Sequence, residues 1–246
     1  MRFRQIHLDF HTSEHVPGIG SEFDAKTFGE AFRAAHVDSV TIFSKCHHGH
    51  NYHPTKIGRM HPHLDFDLTR AQLDALHAVG IKAPIYTTAT WDEYAARMHP
   101  EWRIVLPDGQ LAEHRSGPDE TVGWAYLDFG TPYLDYLNNQ VEELLEQFPD
   151  GDGVFMDISF QLPSISEYAK AAMEADGLDW TDPNHRDLHT TRVADRYYTR
   201  ITDTVRNFDP KMPLFFNSGH MRRGIRQHYL DHYSHLELES LPTAHW

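Results

Sequence analysis

Basic residues are scarce in this 246-residue chain: 22 Lys and Arg stand against 36 Asp and Glu, a formal charge of −14 with histidine neutral. A chain of that sign lacks the positive footprint that a phosphate backbone requires, which argues against nucleic acid as a partner. Cysteine is scarcer still. Cys46 is the only one, so neither an intramolecular disulfide nor a cysteine-built zinc cage can form. No stretch approaches the ~20 consecutive apolar residues of a membrane helix, and residues 1–10 carry charge without an apolar signal core. The expectation is a soluble, cytoplasmic chain with no membrane partner. Flexible linkers, long runs of like charge and short-period repeats are also missing, so nothing marks a boundary within a single domain over residues 1–246.

What is present is enough apolar side chain for a sizeable core, 40% hydrophobic and 12% aromatic residues. Short strand-like runs alternate with helix-like runs. The strand candidates are 5–10, 39–46, 81–88, 153–159, 213–218 and 236–240. Thr69 with Gln72 reads as a capping box ahead of Leu73, Leu76 and Val79, with Gly80 past the end. Thr131 before Pro132 opens a helix carrying Leu134, Leu137, Val141, Leu144 and Phe148, and another carries Val193, Tyr197, Ile201, Val205 and Phe208. A shorter helix follows Asp24.

This alternation predicts parallel βαβ units, and no strand is followed by a G-x-G-x-x-G turn. The expected fold class is α/β, a (β/α)8 TIM-type barrel. Six strands are countable rather than eight, so the barrel is expected to be incomplete at its C-terminus, with residues 90–130 and 160–189 read as βα loops. An open barrel has unpaired edges, from which association into a homo-oligomer is expected.

In such a barrel the C-terminal strand ends converge on one mouth. The first strand delivers His7, Asp9 and His11 at period two. The second ends in Lys45, Cys46, His47 and His48, the third in Tyr86, Thr87 and Thr88, the fifth in Asn217, and the sixth carries Glu237 and Glu239. Asp157 follows the apolar run Val154, Phe155, Met156, where a carboxylate can serve as nucleophile or base; the bland alternative is a loop-capping carboxylate. Glu237 and Glu239 are partner candidates, because glycoside hydrolysis needs two carboxyl groups flanking one bond. Trp91, Trp102, Trp124 and Trp246 lie in loops where an indole can stack on a sugar ring, with core packing as the alternative for each.

The runs RQIHLDFH (4–11), FSKCHHGHNYHPT (43–55), MHPHL (60–64), GDGVFMDI (151–158) and LELESLPTAHW (236–246) resemble the hypothetical glycosyl hydrolase 6 domain, the barrel of family 151 α-L-fucosidases. A more distant similarity is to family 29 α-L-fucosidases, whose second strand ends in a Lys-His-His-Asp-Gly-Phe-like run and whose fourth carries the nucleophilic Asp. The resemblance implies that His47, His48 and a first-strand histidine bind the sugar and that Asp157 attacks its anomeric carbon. It also pairs Glu237 or Glu239, with Trp246, to the family's later motif.

The expected function is therefore a retaining, exo-acting glycosidase on α-L-fucosides or a related sugar, with no cofactor. Asp157 is the nucleophile, Glu239 or Glu237 the acid/base, and His7, Asp9, His11, Lys45, His47, His48, Tyr86, Asn217 and Trp246 bind the carbohydrate. The alternatives are a metal-dependent hydrolase using His7, Asp9, His11, His47 and His48, and a non-catalytic carbohydrate-binding barrel fragment.

Overall fold

The computed structural model describes residues 4–114, 123–217 and 231–235. In chain order it contains β1 (Gln5–His7), α1 (Ala25–Ala34), β2 (Ser39–Lys45), β3 (His50–Asn51), β4 (Arg59–Met60), α2 (Leu68–Ala78), β5 (Ile85–Thr88) and α3 (Glu93–Met98). There follow β6 (Glu113–His114), β7 (Trp124–Ala125), α4 (Tyr133–Gln147), β8 (Val154–Asp157), α5 (Glu167–Ala175), α6 (Pro183–Phe208) and β9 (Leu214–Phe216). Strands β1, β2, β5, β8 and β9 lie side by side in that order, each parallel to the next. Strand β3 folds back antiparallel on the end of β2 with β4 beside it, and β6 and β7 make a separate hairpin.

Sequential parallel strands need a crossover between each pair, and the helices supply it. Among the described residues the sheet does not close. Of the expected strands, five lie side by side, parallel and in chain order, and the sixth, 236–240, lies outside the described residues. The two stretches read as loops hold α3 with the β6–β7 hairpin, and α5 with the start of α6. No helix among the described residues is long and apolar enough to cross a membrane.

Period-two alternation divides the sheet into two faces. Val40, Ile42, Ile85, Val154, Met156, Leu214 and Phe216 point to the helices, where they join Leu73, Leu76, Leu144, Tyr197 and Ile201 in the buried core. The other face is aromatic: Phe43, Tyr86, Phe155 and Phe215. Helix α1 meets α2 at Gly29, where an added Cβ would stand 2.6 Å from the Ala75 carbonyl oxygen.

Two helix ends differ from the sequence expectation. Asp67, not Thr69, caps α2, accepting from the Arg70 amide at 2.8 Å. Thr69, in the first turn, is buried and donates its hydroxyl to the Phe43 carbonyl oxygen. Phe208, assigned to the apolar face of α6, is 42% exposed because the core contacts of that helix end at Val205.

At the entry to β8, Asp152 accepts from Lys82 (2.6 Å), His77 (2.7 Å) and the Ala83 amide (2.8 Å), tying the strand to the α2–β5 connection. Burial raises its carboxyl, but these three donors outweigh it and hold the carboxyl below the usual aspartate range. A depressed carboxylate contributes stability above its unfolded value of about 3.9, and that stability is lost as pH falls through the lower folded value. Asp152→Asn should therefore lower the melting temperature at pH 7, and the gap to wild type should shrink as the pH is taken towards 3; a gap that persists there would show that the stabilisation is not carried by charge.

Candidate active site

Asp157 ends β8 on the aromatic face, because Phe155 two residues earlier points the same way. By the same alternation Tyr86 and Thr88 of β5, and Asn217 just past β9, reach the same side. Tyr86 donates its hydroxyl to Asp157 Oδ2 at 2.6 Å and Asn217 donates from Nδ2 to Oδ1 at 2.7 Å, so each carboxylate oxygen has a donor. Burial first, and then the adjacent Asp157 charge, push the Tyr86 phenol well above its ordinary value and keep it a neutral donor. Asp157 retains 7% exposure at the floor of the site.

The residue after it is strained. Ile158 has φ of +52°, a left-handed conformation that a β-branched side chain rarely takes and that costs about 1–3 kcal/mol. Its carbonyl is held by both the hydroxyl and the amide of Thr90, and the Ser159 amide bonds the Asn217 carbonyl at 2.7 Å. The reversal ends the strand at Asp157 and ties it to the residue that bonds its carboxylate.

His47 stands beside this carboxylate, with Nε2 3.5 Å from Oδ2 and Nδ1 2.8 Å from the Thr88 hydroxyl. Burial first, and then the Lys45 charge, drive its pKa well below the ordinary value, so the ring is neutral. His11 stacks on it at 3.9 Å and accepts the His47 amide at Nδ1 (3.1 Å), while its Nε2 meets Asp9 Oδ1 at 2.8 Å. Burial opposes protonation of His11, but Asp9 and the Cys46 sulfur raise its pKa to about 9. The bond from the His47 amide nevertheless requires a bare Nδ1, and the neutral Nε2–H ring satisfies both contacts. Trp124 walls the site, 5.3 Å from His47 and 4.9 Å from His48 between ring centroids, and Trp91 lies 4.9 Å from His47.

The histidine loop is set by one bulge. Phe43 pairs with Tyr86 but Lys45 pairs with Thr87, so a single extra residue at Ser44 reverses the facing of the side chains beyond it. Lys45, grouped with the carbohydrate-binding residues from its place at the strand end, instead points to the helical side. There it is fully buried and bonds Asp92 Oδ2 and Gln140 Oε1, both at 2.7 Å. Asp92 also caps α3 through the Ala95 amide (2.8 Å), and the Glu93 and Tyr94 amides bond the His47 and His48 carbonyls. Glu93 in turn accepts the Ala125 amide at 2.6 Å, which places neighbouring Trp124.

Of the other expected site residues, His7 packs its ring among Phe43, Tyr86 and Phe155, and His48 is half-buried, with a pKa lowered to about 4 chiefly by burial. Asp9 reaches the site only through His11. Glu237, Glu239 and Trp246 lie outside the described residues. No group of three or more His, Cys, Asp or Glu among the described residues is disposed to hold a metal. The supporting roles of Thr88, Asp92 and Gly49 are not evident from sequence; an Asp three residues before Ala95 is the one legible signal, that of a helix cap. A separate groove between the loops after β1 and β4, lined by Ile19, Phe23, Leu64 and Phe66 among others, includes none of these site residues.

Gly49 closes the histidine loop at φ +82°, and an added Cβ would lie 2.2 Å from Asp92 Oδ1 and 2.8 Å from the Tyr94 amide nitrogen. Gly49→Ala should cost more than the roughly 1–3 kcal/mol of the backbone strain alone, read by denaturant unfolding. Lys45→Met should cost about 3–5 kcal/mol, because Asp92 stays buried without its cation; a loss under about 1 kcal/mol would show that the pair is not what anchors the loop.

Residues 24–158 match the family described as hypothetical glycosyl hydrolase 6. Among solved structures, alpha-L-fucosidase isoenzyme 2 from Paenibacillus thiaminolyticus is 40% identical and superposes with a TM-score of 0.91, over 99% of this chain and 36% of that one. Beta-galactosidase from the psychrophilic Marinomonas ef1 is similar in fold at 14% identity, TM-score 0.58, over 87% of this chain and 37% of that one. No curated protein matches the sequence. This chain thus spans about a third of the length of the solved relatives, while the family match spans more than half of the chain. It belongs to the hypothetical glycosyl hydrolase 6 family.

Proposed function

We propose that this chain is a retaining, exo-acting glycoside hydrolase of α-L-fucosides or a related sugar, with Asp157 as the nucleophile. One observation carries the reading: a carboxylate at a strand end, with a donor on each oxygen, faces a neutral imidazole and lies among aromatic rings. Donors on both oxygens hold the carboxylate in one orientation at the strand end. The Trp124 indole and the His47, His48 and His11 imidazoles suit a ring with one apolar face and several hydroxyls. The similarity to the Paenibacillus fucosidase, at 40% identity, supports the sugar class. The parallel sheet is in this reading part of a (β/α)8 barrel. Glu239 or Glu237 is the proposed acid and base, at the roughly 5 Å separation that retention requires.

A metal-assisted hydrolysis is less well served, since both ring nitrogens of His11 are already engaged by Asp9 and the His47 amide.

Initial rates on a panel of nitrophenyl glycosides, α-L-fucoside and β-D-galactoside included, test the proposal. Turnover of one sugar with retained anomeric configuration is expected, falling at least about 10³-fold in Asp157→Asn, which should still fold. Near wild-type turnover in that variant, or inversion of the anomeric centre, would overturn the assignment.

A further inference from the structure

We propose that Thr88 is a positioning residue that fixes the tautomer of His47, leaving Nε2 bare beside Asp157 so that a hydroxyl of the ligand donates into the gap between them. The identity of the ligand as a polyol rests on the glycosidase reading, whereas the tautomer follows from the direction of the hydrogen bonds.

The Thr88 hydroxyl has one proton and donates it to the Trp91 carbonyl oxygen at 2.8 Å. Toward His47 Nδ1, also at 2.8 Å, the same oxygen can only accept, so Nδ1 carries the hydrogen. The second oxygen near Nδ1 is the Tyr86 hydroxyl at 3.4 Å, whose proton goes to Asp157. Both neighbours of Nδ1 are therefore acceptors. In the neutral ring this leaves a lone pair on Nε2, 3.5 Å from Asp157 Oδ2.

A second proton on the ring would resolve the clash, but burial and the neighbouring Lys45 charge oppose it. Two acceptors thus face each other with no proton between them. An O–H group placed against both satisfies them together, and an imidazole of the other tautomer would instead donate to Asp157 and occupy it. Thr88 is fully buried and lies behind the ring, so it acts on the ligand only through His47.

The test is long-range proton–nitrogen spectroscopy of the full chain, ligand-free and labelled with nitrogen-15 histidine, with His47→Gln to assign the ring. Wild type and Thr88→Ser should show Nδ1–H, and Thr88→Val should move the ring toward Nε2–H. In the glycoside assay Thr88→Val should lose about tenfold or more in kcat/KM, while Thr88→Ser stays within about threefold. An Nε2–H ring in wild type, or an unchanged tautomer in a folded Thr88→Val, would overturn the proposal. Because the spectra need no substrate, absence of turnover on every glycoside would count against the glycosidase function and not against the tautomer.

Discussion

An ammonium group sealed from water anchors the half of the site that the second strand contributes. Lys45 is buried with Asp92 and Gln140 as its partners, and a charge so placed is tolerated only while it stays paired. Asp92 is at the same time the cap of α3, so the ion pair binds strand to helix at the level where His47 and His48 leave the sheet. Backbone bonds from Glu93 and Tyr94 then fix the carbonyls of both histidines. The imidazoles are held by main chain on a rigid base, although they lie in a loop.

The other half of the site is a property of parallel registry. Tyr86 pairs with Phe155 and Thr88 with Asp157, so the groups that surround the carboxylate come from adjacent strands at equal height. Asn217 joins them from β9 in the same way, and the reversal at Ile158 stops β8 where the carboxylate is needed. Local strain at this single residue is tolerated because Thr90 and Ser159 bond the turned peptide from both sides. Hydrogen bonds run in one direction through this frame: His47 toward Thr88 and Thr88 toward Trp91, with Tyr86 toward Asp157. That direction makes the carboxylate and its neighbouring imidazole acceptors.

The site belongs to a glycosyl hydrolase family, and its chemistry is distributed unevenly along the chain. Carboxylate, supporting donors and aromatic wall come from residues 9–217, with Glu237 and Glu239 outside the described residues. The floor around Asp157 is rigid because Tyr86 and Asn217 hold its two oxygens from neighbouring strands.

Much of this was legible along the chain. Apolar runs at period two located β2, β5, β8 and β9 to within a few residues, and helical spacing located the buried faces of α4 and α6, because both periodicities are set by backbone geometry that each segment carries locally. Asp157 stood out as a charge ending an apolar run, and Tyr86 and Asn217 as polar ends of neighbouring runs. Lys45 faces the helices rather than the mouth, since one extra residue at Ser44 turns a strand end from one face to the other and no local pattern marks the slip. The cap of α2 fell on Asp67 rather than Thr69 for a related reason: Thr69 found a partner in Phe43, distant in sequence. The amino-acid sequence by itself determined the alternation of elements, the family and the carboxylate. Tertiary structure alone decided which strand-end side chains meet, which tautomer His47 holds and which lysine is buried, because each depends on a partner that the chain brings up from tens of residues away.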